Sequence, residues 1–504
     1  MADNLYRAVY QRYLNHSQSR FAEPEEIIDA SVPIRRDGMW TGGIPVYCAD
    51  DVIYVDDSDN HSIIVGQTGC KKTRTSCLPM VASVIRAGQT AIINDPKGEI
   101  YARTEKLAES VGAKVFVLNF RDPKTSHYWN PFAQAHEYFA EGSENLAIQC
   151  VSDFAESVCA QAQERTVDVY WTECAKAMIK SLALVLLASV PAECLNITNL
   201  MQMCYEDNCS TLRVLLKDMD PKCVAAFGLH SVVDLEAEKT RSCVYSTILS
   251  VLTAFAQDED LQNMLCDSSF NLSELGESQH VIYVIYPDEK DTLSFLVNAF
   301  LTQCYEVLVT TADRHADKRL PVTVNFIIDE FSNLPAISSF ENRISEARSR
   351  NIRYTLFIQS FEQLRYKYGD RAETILSNCS NWLCFSSKEI EFIEKVSAVC
   401  GREYDYNGVE HPLISPYDMQ HLRKEREYAE VLMIRHGLHP YVAQMPDIDY
   451  TGLLDGIPQA EHVDRSRESK ARFISFAEWY SGLYVEFKFP FPKDKDGKPK
   501  RKYP

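Results

Sequence analysis

The stretch "GQTGCKKT", Gly66 to Thr73, has the residue types of a phosphate-binding loop. A loop between a buried strand and a helix offers backbone N–H groups and the positive end of a helix dipole, so oxyanions bind there with little side-chain help. The usual spacing is glycine, four residues, glycine, lysine, then serine or threonine. Gly66, Lys72 and Thr73 obey it, but Lys71 stands where the second glycine belongs. Gly66 and Gly69 let the backbone turn tightly, with Gln67, Thr68 and Cys70 completing the loop. Lys72 is expected to reach the β- and γ-phosphates and the Thr73 hydroxyl to hold Mg²⁺. The Lys71 side chain has three options: crowd the ligand, point outward, or add a charge to the triphosphate. A plain tight turn is the competing reading.

Later segments weigh against the plain turn. "VNFIIDEF" reads as an apolar strand ending in Asp329 and Glu330. One carboxylate of such a pair holds Mg²⁺ through water and the next orients the attacking water. "RYTLFIQSFEQL" is a strand ending in Gln359, whose amide is suited to sense a γ-phosphate and the nucleophilic water. Between them, "RISEARSRNIR" carries Arg343, Arg348, Arg350 and Arg353, from which an arginine finger acting on an adjacent subunit can come. The blander alternatives are a chance acidic strand end, a polar strand terminus and a solvated basic helix face.

These side chains need elements to position them. "SIIV" runs into the glycine loop, a helix follows from about Lys72, and "TAIIND" and "AKVFVLNF" come next as apolar strands. Short continuous apolar runs separated by helices predict a parallel sheet covered on both faces. Helical patterns then follow one another, including "ENLAIQCVSDFAESVCAQ", "WTECAKAMIKSLALVLL" and "SCVYSTILSVLTAFAQ". Strands return as "HVIYVIYP", "VTVNFIIDE", "RYTLFIQS" and "NWLCFSS", and "EVLMIRHGLHPYVAQM" is a last strand pair. The expected organisation is a lead-in over 1–50, a discontinuous α/β nucleotide-binding domain over 51–139 and 271–450, an all-α domain over 140–270, and a polar tail over 451–504.

The composition limits what such a protein does with its surface. Among 504 residues, 52 Lys and Arg face 71 Asp and Glu for a net charge of −19, so any DNA contact is local rather than spread over the whole surface. An apolar share of 45% is that of a globular chain. The basic C-terminal run from Lys493 to Lys502 reads as a solvated end, with nucleic-acid contact as the second reading. The 16 cysteines are scattered through apolar segments and are expected to be reduced. Neither Cys204/Cys209 nor Cys379/Cys384 has a neighbouring Cys/His pair to complete a zinc site. The most apolar run, near residue 185, is too short to cross a bilayer, which takes about 20 apolar residues.

Taken in order, the glycine loop, "INDPKGEIY", "VLNFRDPKTSHYWNPF", "VYWTECAKAMIKSLALVLL", "VNFIIDEFSNL", "ARSRNIRYTLFIQSFEQLRYKYG" and "ILSNCSNWLCFSS" resemble the type IV secretion coupling proteins of the TraG/TraD kind, the conjugative DNA-transfer ATPases. The likeness runs from about Gly66 to Gln444, and its Asp-Pro-Lys-Gly-Glu and Trp-Asn-Pro-Phe segments are more specific than the loop. The resemblance implies a RecA-like P-loop NTPase domain with a mostly parallel central sheet and an inserted all-α domain. It also implies a homo-hexameric ring with ATP and Mg²⁺ between subunits, and hydrolysis that drives DNA or a relaxase–DNA complex toward a membrane-bound channel. Carried over by residue, Lys72 and Thr73 meet phosphate and Mg²⁺, Asp329 and Glu330 are the acidic pair, Gln359 is the sensor and Arg348 is the trans arginine. Asp95, Lys97 and Glu99 match the segment beside the nucleotide strand, or "DPKGE" fixes a turn through Pro96 and Gly98.

Two departures stand out: Lys71, and a start at "MADNLYRAVYQRYLNHS" where relatives carry transmembrane helices. The expectation is a cytoplasmic protein recruited to the inner face of the membrane by a separate anchor or partner, with channel components and relaxase or a protein effector as further partners. The competing functions are a catalytically silent ring or adaptor and a double-strand DNA translocase of the FtsK/HerA kind. "DPKGE" and "WNPF" weigh against the translocase. Trp171 and Tyr170 in the helical part are read as packing residues.

Overall fold

A computed structural model describes residues 19–165, 169–205, 212–213, 216–217, 219–220, 222–234, 238–256, 258–287, 293–405, 407–467 and 472–474. The basic run from Lys493 onward lies outside these residues, as does Cys209.

The centre is a nine-stranded sheet. Its strands in chain order are β1 (His61–Val65), β2 (Thr90–Asn94), β3 (Lys114–Asn119), β4 (His280–Ile285), β5 (Val324–Ile328), β6 (Ile352–Ile358), β7 (Cys379–Cys384), β8 (Tyr428–Arg435) and β9 (Tyr441–Pro446). They lie side by side as β9-β8-β7-β1-β6-β5-β2-β4-β3. Every pairing from β7 across to β3 is parallel. The hairpin of β8 and β9 closes the other edge antiparallel. The fold is thus the α/β architecture with a mostly parallel sheet that the apolar runs predict.

Alternation along each strand explains those runs. Ile63 and Val65 enter one core and Ile64 the other; Ile92 faces the first, and Ala91 and Ile93 the second. Successive side chains point to opposite faces, so a strand buried on both sides must be apolar throughout. The second core is closed by the helices Leu78–Arg86 and Glu99–Ser110 and by a small antiparallel sheet of Val32–Pro33, Val52–Asp56 and Ile44–Ala49. The hairpin Ile44–Ala49 and Val52–Asp56 straddles the boundary drawn at residue 51. Its Ile44, Val46, Ile53 and Val55 are buried, and the Tyr441 hydroxyl donates to the Val46 carbonyl at 3.2 Å.

On the first face lie the helices of the insertion. Between β3 and β4 the described residues hold no strand, and Ala133–Ala140, Glu144–Arg165, Val169–Ser189, Ile197–Tyr205, Val224–Val233, Glu238–Ala256 and Glu259–Met264 are α-helical. Their apolar stripes form one continuous core with β6 and with helix Ser294–Arg314. Among the described residues that helix is the one long and apolar enough to cross a membrane by length and composition, and most of it is buried inside the fold. The apolar run near residue 185 lies in Val169–Ser189, also buried. Trp171 packs against the core, whereas Tyr170 is 47% exposed and meets Trp171 edge-on at 5.0 Å. At the first turn of a helix, its ring has solvent on one side.

The segment after β9 is held against the body of the molecule over its described length. Asp447 meets Arg74 on the first helix of the sheet and Asp449 meets Arg103 on helix Glu99–Ser110, Ala460 N–H donates to the Ala102 carbonyl at 2.9 Å, and Arg465 N–H donates to the Lys124 carbonyl at 2.8 Å. Further on, Ile474 N–H donates to Asn199 Oδ1 at 3.0 Å in the helical insertion. A stretch read from its polarity as a tail therefore bridges the sheet and the insertion, because its carboxylates and arginines have fixed partners.

Candidate nucleotide site

The topology puts the carboxyl ends of β1, β6 and β5 next to one another, with β6 in the middle. Gly66 follows β1, Gln359 follows β6 and Asp329 follows β5. Ligands of open α/β sheets bind outside such carboxyl ends.

The loop after β1 is shaped by close approach and by left-handed backbone. A Cβ on Gly66 would stand 2.6 Å from Phe385 Cβ and 2.7 Å from Cys70 Sγ, so no side chain fits there. Gly69 has φ +81° and Lys71 φ +76°. Lys71 thus adopts the conformation that makes glycine usual at this position, at a cost of about 1–2 kcal/mol. Gln67, Thr68 and Gly69 form the exposed crest, and Cys70 N–H donates to the Gln67 carbonyl at 3.2 Å. Thr73 opens the helix that continues to Arg86, its first turn wound wide. Lys72 is buried, and its ammonium donates to the Gly66 carbonyl.

Of the three options for Lys71, the side chain takes the outward one. Its ammonium lies 2.9 Å from Asp447 Oδ2 and 2.5 Å from the Arg426 carbonyl oxygen. Arg426 lies just before β8 and Asp447 just after β9, on the opposite side of β1 from the acidic pair. Asp447 also accepts from Arg74 Nε at 2.7 Å and Nη2 at 2.5 Å. Burial raises the Asp447 pKa, but Arg74 and Lys71 outweigh it and hold the carboxyl down at about 2.

Asp329 is buried and Glu330 half-buried, with basic groups nearby. Asp329 N–H donates to the Asn94 carbonyl at 3.2 Å, and Asn94 Nδ2 donates to the Asp329 carbonyl at 2.6 Å, locking the ends of β5 and β2. Burial and the neighbouring Glu330 push the Asp329 carboxyl up to about 6, against Lys72 and Lys97. Glu330 sits at φ +53°, a strained conformation for a long side chain, and Gln359 Nε2 donates to its Oε2 at 2.8 Å. A buried carboxyl beside a second acid and a hydroxyl at a helix start are hard-oxygen donors of the kind Mg²⁺ takes with a phosphate, and the two nearby lysines are suited to the phosphate itself. The residues fit the ion.

"DPKGE" fixes a turn. Gly98 N–H donates to the Asp95 carbonyl at 3.1 Å with Gly98 at φ +71°, and Asp95 Oδ2 accepts the Tyr101 amide at 2.7 Å, capping the helix that Glu99 begins. Burial pushes the Asp95 carboxyl up to about 7, with Asp329 adding to it. Exposed Lys97 stands close enough to Asp329 to favour its anion.

Arg348 does not join these residues. It precedes β6, and its Nε donates to Asp59 Oδ1 at 2.9 Å, before β1, so both lie at the amino edge of the sheet. Seven strand residues separate that edge from Gln359, about 23 Å at strand spacing. Arg343, Arg350 and Arg353 also have local partners: Glu306 at 3.4 Å, Glu346 at 3.6 Å and the Asp57 carbonyl at 2.6 Å. Sequence reasoning missed Asp447 and Asn94. Asn94 was legible as the polar end of "TAIIND", whereas nothing in the sequence ties Asp447 to a loop more than 370 residues earlier.

The family described as type IV secretory system conjugative DNA transfer matches residues 13–404. No curated protein matches the chain in sequence. Among solved structures, the unbound bacterial conjugative coupling protein TrwBdeltaN70 superposes with a TM-score of 0.59 at 14% identity, covering 86% of this chain and 92% of that one. TrwB with the ATP analogue ADPNP (0.58, 14% identity, 89% and 95% covered) and TrwB with ADP and Mg²⁺ (0.58, 13%, 89% and 95%) share the fold. VirB4 of Thermoanaerobacter pseudethanolicus is more distant, at 0.50 and 14% with 82% and 97% covered. The match over most of its length makes the chain a member of the type IV secretion conjugative DNA-transfer family, with the RecA-like α/β fold and helical insertion of a coupling protein.

Proposed function

We propose that this chain is an ATP-driven coupling protein that recruits DNA or a relaxase–DNA complex and moves it to a type IV secretion channel. The observation that carries the reading is the gathering of Lys72, Thr73, Gln359, Asp329 and Glu330 at one sheet edge while Lys71 is tied elsewhere. The nucleotides in the TrwB structures support ATP and Mg²⁺ as the ligands.

The residues divide the work of phosphoryl transfer, which is mostly positioning and charge stabilisation. Mg²⁺, when bound, neutralises charge on the β- and γ-oxygens. Thr73 and Asp329 are the residues that would hold it. Loop amides and the Lys72 ammonium, leaving the Gly66 carbonyl, bind the phosphate oxygens. Glu330 orients the attacking water and takes its proton. Gln359 fixes the Glu330 carboxylate and reads the γ-phosphate. Arg348, exposed and at the far edge, serves the site of a neighbouring subunit in a homo-hexamer. The helical insertion receives cargo, and a membrane anchor or channel component recruits the assembly.

The test is ATP turnover by the purified chain at oligomer-forming concentration, with and without DNA. DNA-stimulated turnover that Lys72→Ala removes is expected. Absence of turnover with any DNA sinks the motor and leaves an adaptor that binds relaxase or effector.

A further inference from the structure

Lys71 raises a physical question that the nucleotide reading leaves open. A side chain sits at a left-handed backbone position inside a phosphate loop, and a long cationic side chain there would be drawn to any triphosphate bound in it. Something must hold it out of the cradle. Besides the Arg426 carbonyl oxygen, the group in contact with it is Asp447, 2% exposed, which is fixed in turn by its N–H donating to the Glu427 carbonyl at 2.7 Å and by Arg74 on the loop's own helix. A buried carboxylate bonded to two cations of one loop is not a solvated surface pair: its position is set by the hairpin, and it sets theirs.

We propose that Asp447 is a positioning residue of the phosphate loop: it holds Lys71 in the left-handed conformation with its ammonium turned to the C-terminal segment, so that lysine and aspartate together replace the missing glycine. Asp447 touches no phosphate and acts through Lys71. The inference rests on the nucleotide reading of the loop. It implies that the loop's shape depends on a segment outside the P-loop helix, which bare glycine would not require. Arg74 offers a rival route, since it shares the same carboxylate, and the two routes predict different couplings.

The experiment uses the full chain as parent, Asp447→Asn, Lys71→Gly, Lys71→Gly/Asp447→Asn and Lys71→Met. Each is titrated with a fluorescent ATP analogue and Mg²⁺, and hydrogen exchange of the 66–74 amides is followed without nucleotide. Asp447→Asn is expected to weaken binding by about tenfold to a hundredfold in the parent, the range of one charge-assisted hydrogen bond, and by less than about threefold in the Lys71→Gly background. The loop amides exchange faster in Asp447→Asn than in the parent, and the difference shrinks with glycine at 71. Lys71→Met, which leaves the Asp447–Arg74 pair intact, binds about tenfold more weakly than Lys71→Gly. An equal loss in both backgrounds assigns the effect to Arg74 and overturns the proposal. So does Lys71→Met binding as tightly as Lys71→Gly, a result that decides the matter even where Asp447→Asn folds poorly. A parent that binds no analogue overturns the nucleotide reading itself, and an unchanged Asp447→Asn beside a binding parent overturns only the positioning role.

Discussion

Gln359 Nε2 donates to Glu330 Oε2 at 2.8 Å, joining the tip of β6 to the tip of the adjacent β5. The contact reaches a glutamate whose backbone is already held at φ +53°, so its carboxylate is aimed from both ends. Replacing Glu330 by Gln keeps the size and removes the base. Turnover is expected to fall by about 10²–10⁴-fold with ATP affinity retained. Gln359→Ala frees the carboxylate and costs about tenfold, one hydrogen bond's worth. Steady-state turnover beside analogue titration separates the two effects, and a Glu330→Gln protein that turns over like the parent removes Glu330 from the chemistry.

Arg348 lies across the sheet from its own site, so its effect belongs to the assembly. Arg348→Ala is expected to leave analogue binding by dilute protein intact and to lower turnover of the assembled form by about 10³-fold or more, the scale of an arginine finger. Mixing Arg348→Ala with Glu330→Gln subunits restores part of the activity if the two residues meet across an interface. No recovery at any ratio argues against it.

His61 accepts the Tyr354 amide at Nδ1, and His127 accepts that of Val117. Burial first, with nearby arginines second, pushes both imidazoles down to about 4. The unfolded chain takes up these protons near pH 6.5 and the folded chain refuses them until about 4. Their contribution is therefore complete above 6.5 and is lost as pH falls through that window, at up to about 1.4 kcal/mol per pH unit for each group. Asp95, Asp153 and Asp329, raised mainly by burial to about 7, 7 and 6, act in the opposite sense. The readout is thus a difference: the urea midpoint of His61→Asn, which keeps an acceptor for Tyr354, should rise relative to the parent's as pH is lowered from 7 to 4.5. Equal changes refute the assignment.

Arg465 reaches from the C-terminal segment to buried Glu105 at 3.2 Å and to the Thr125 carbonyl at 2.9 Å. Arg465→Ala leaves that carboxylate to Lys106 and the Tyr101 hydroxyl. A loss of about 1–3 kcal/mol is expected, seen as a lower melting temperature. An unchanged melting temperature means that the strap contributes nothing there.

The sheet and its covering helices were legible because burial on both faces leaves a strand no polar option: "SIIV", "VNFII" and "YTLFI" announce it without reference to anything distant. As candidates, Gly66, Asp329, Glu330 and Gln359 were legible for a related reason, since each stands just beyond such a strand, and Lys72 and Thr73 close the loop that Gly66 opens. The nearness of Gln359 to Glu330 needed the strand order, in which β6 separates β5 from β1. The Arg-rich stretch shows the limit, because local composition cannot tell which edge of a sheet a residue faces.

What the sequence determined by itself is therefore the inventory: strand-end chemistry, helical insertion and the odd lysine in the loop. Tertiary structure alone decided what that lysine does. Its side chain is long enough for several destinations, and the choice falls to a carboxylate that the β8–β9 hairpin delivers from the other end of the chain.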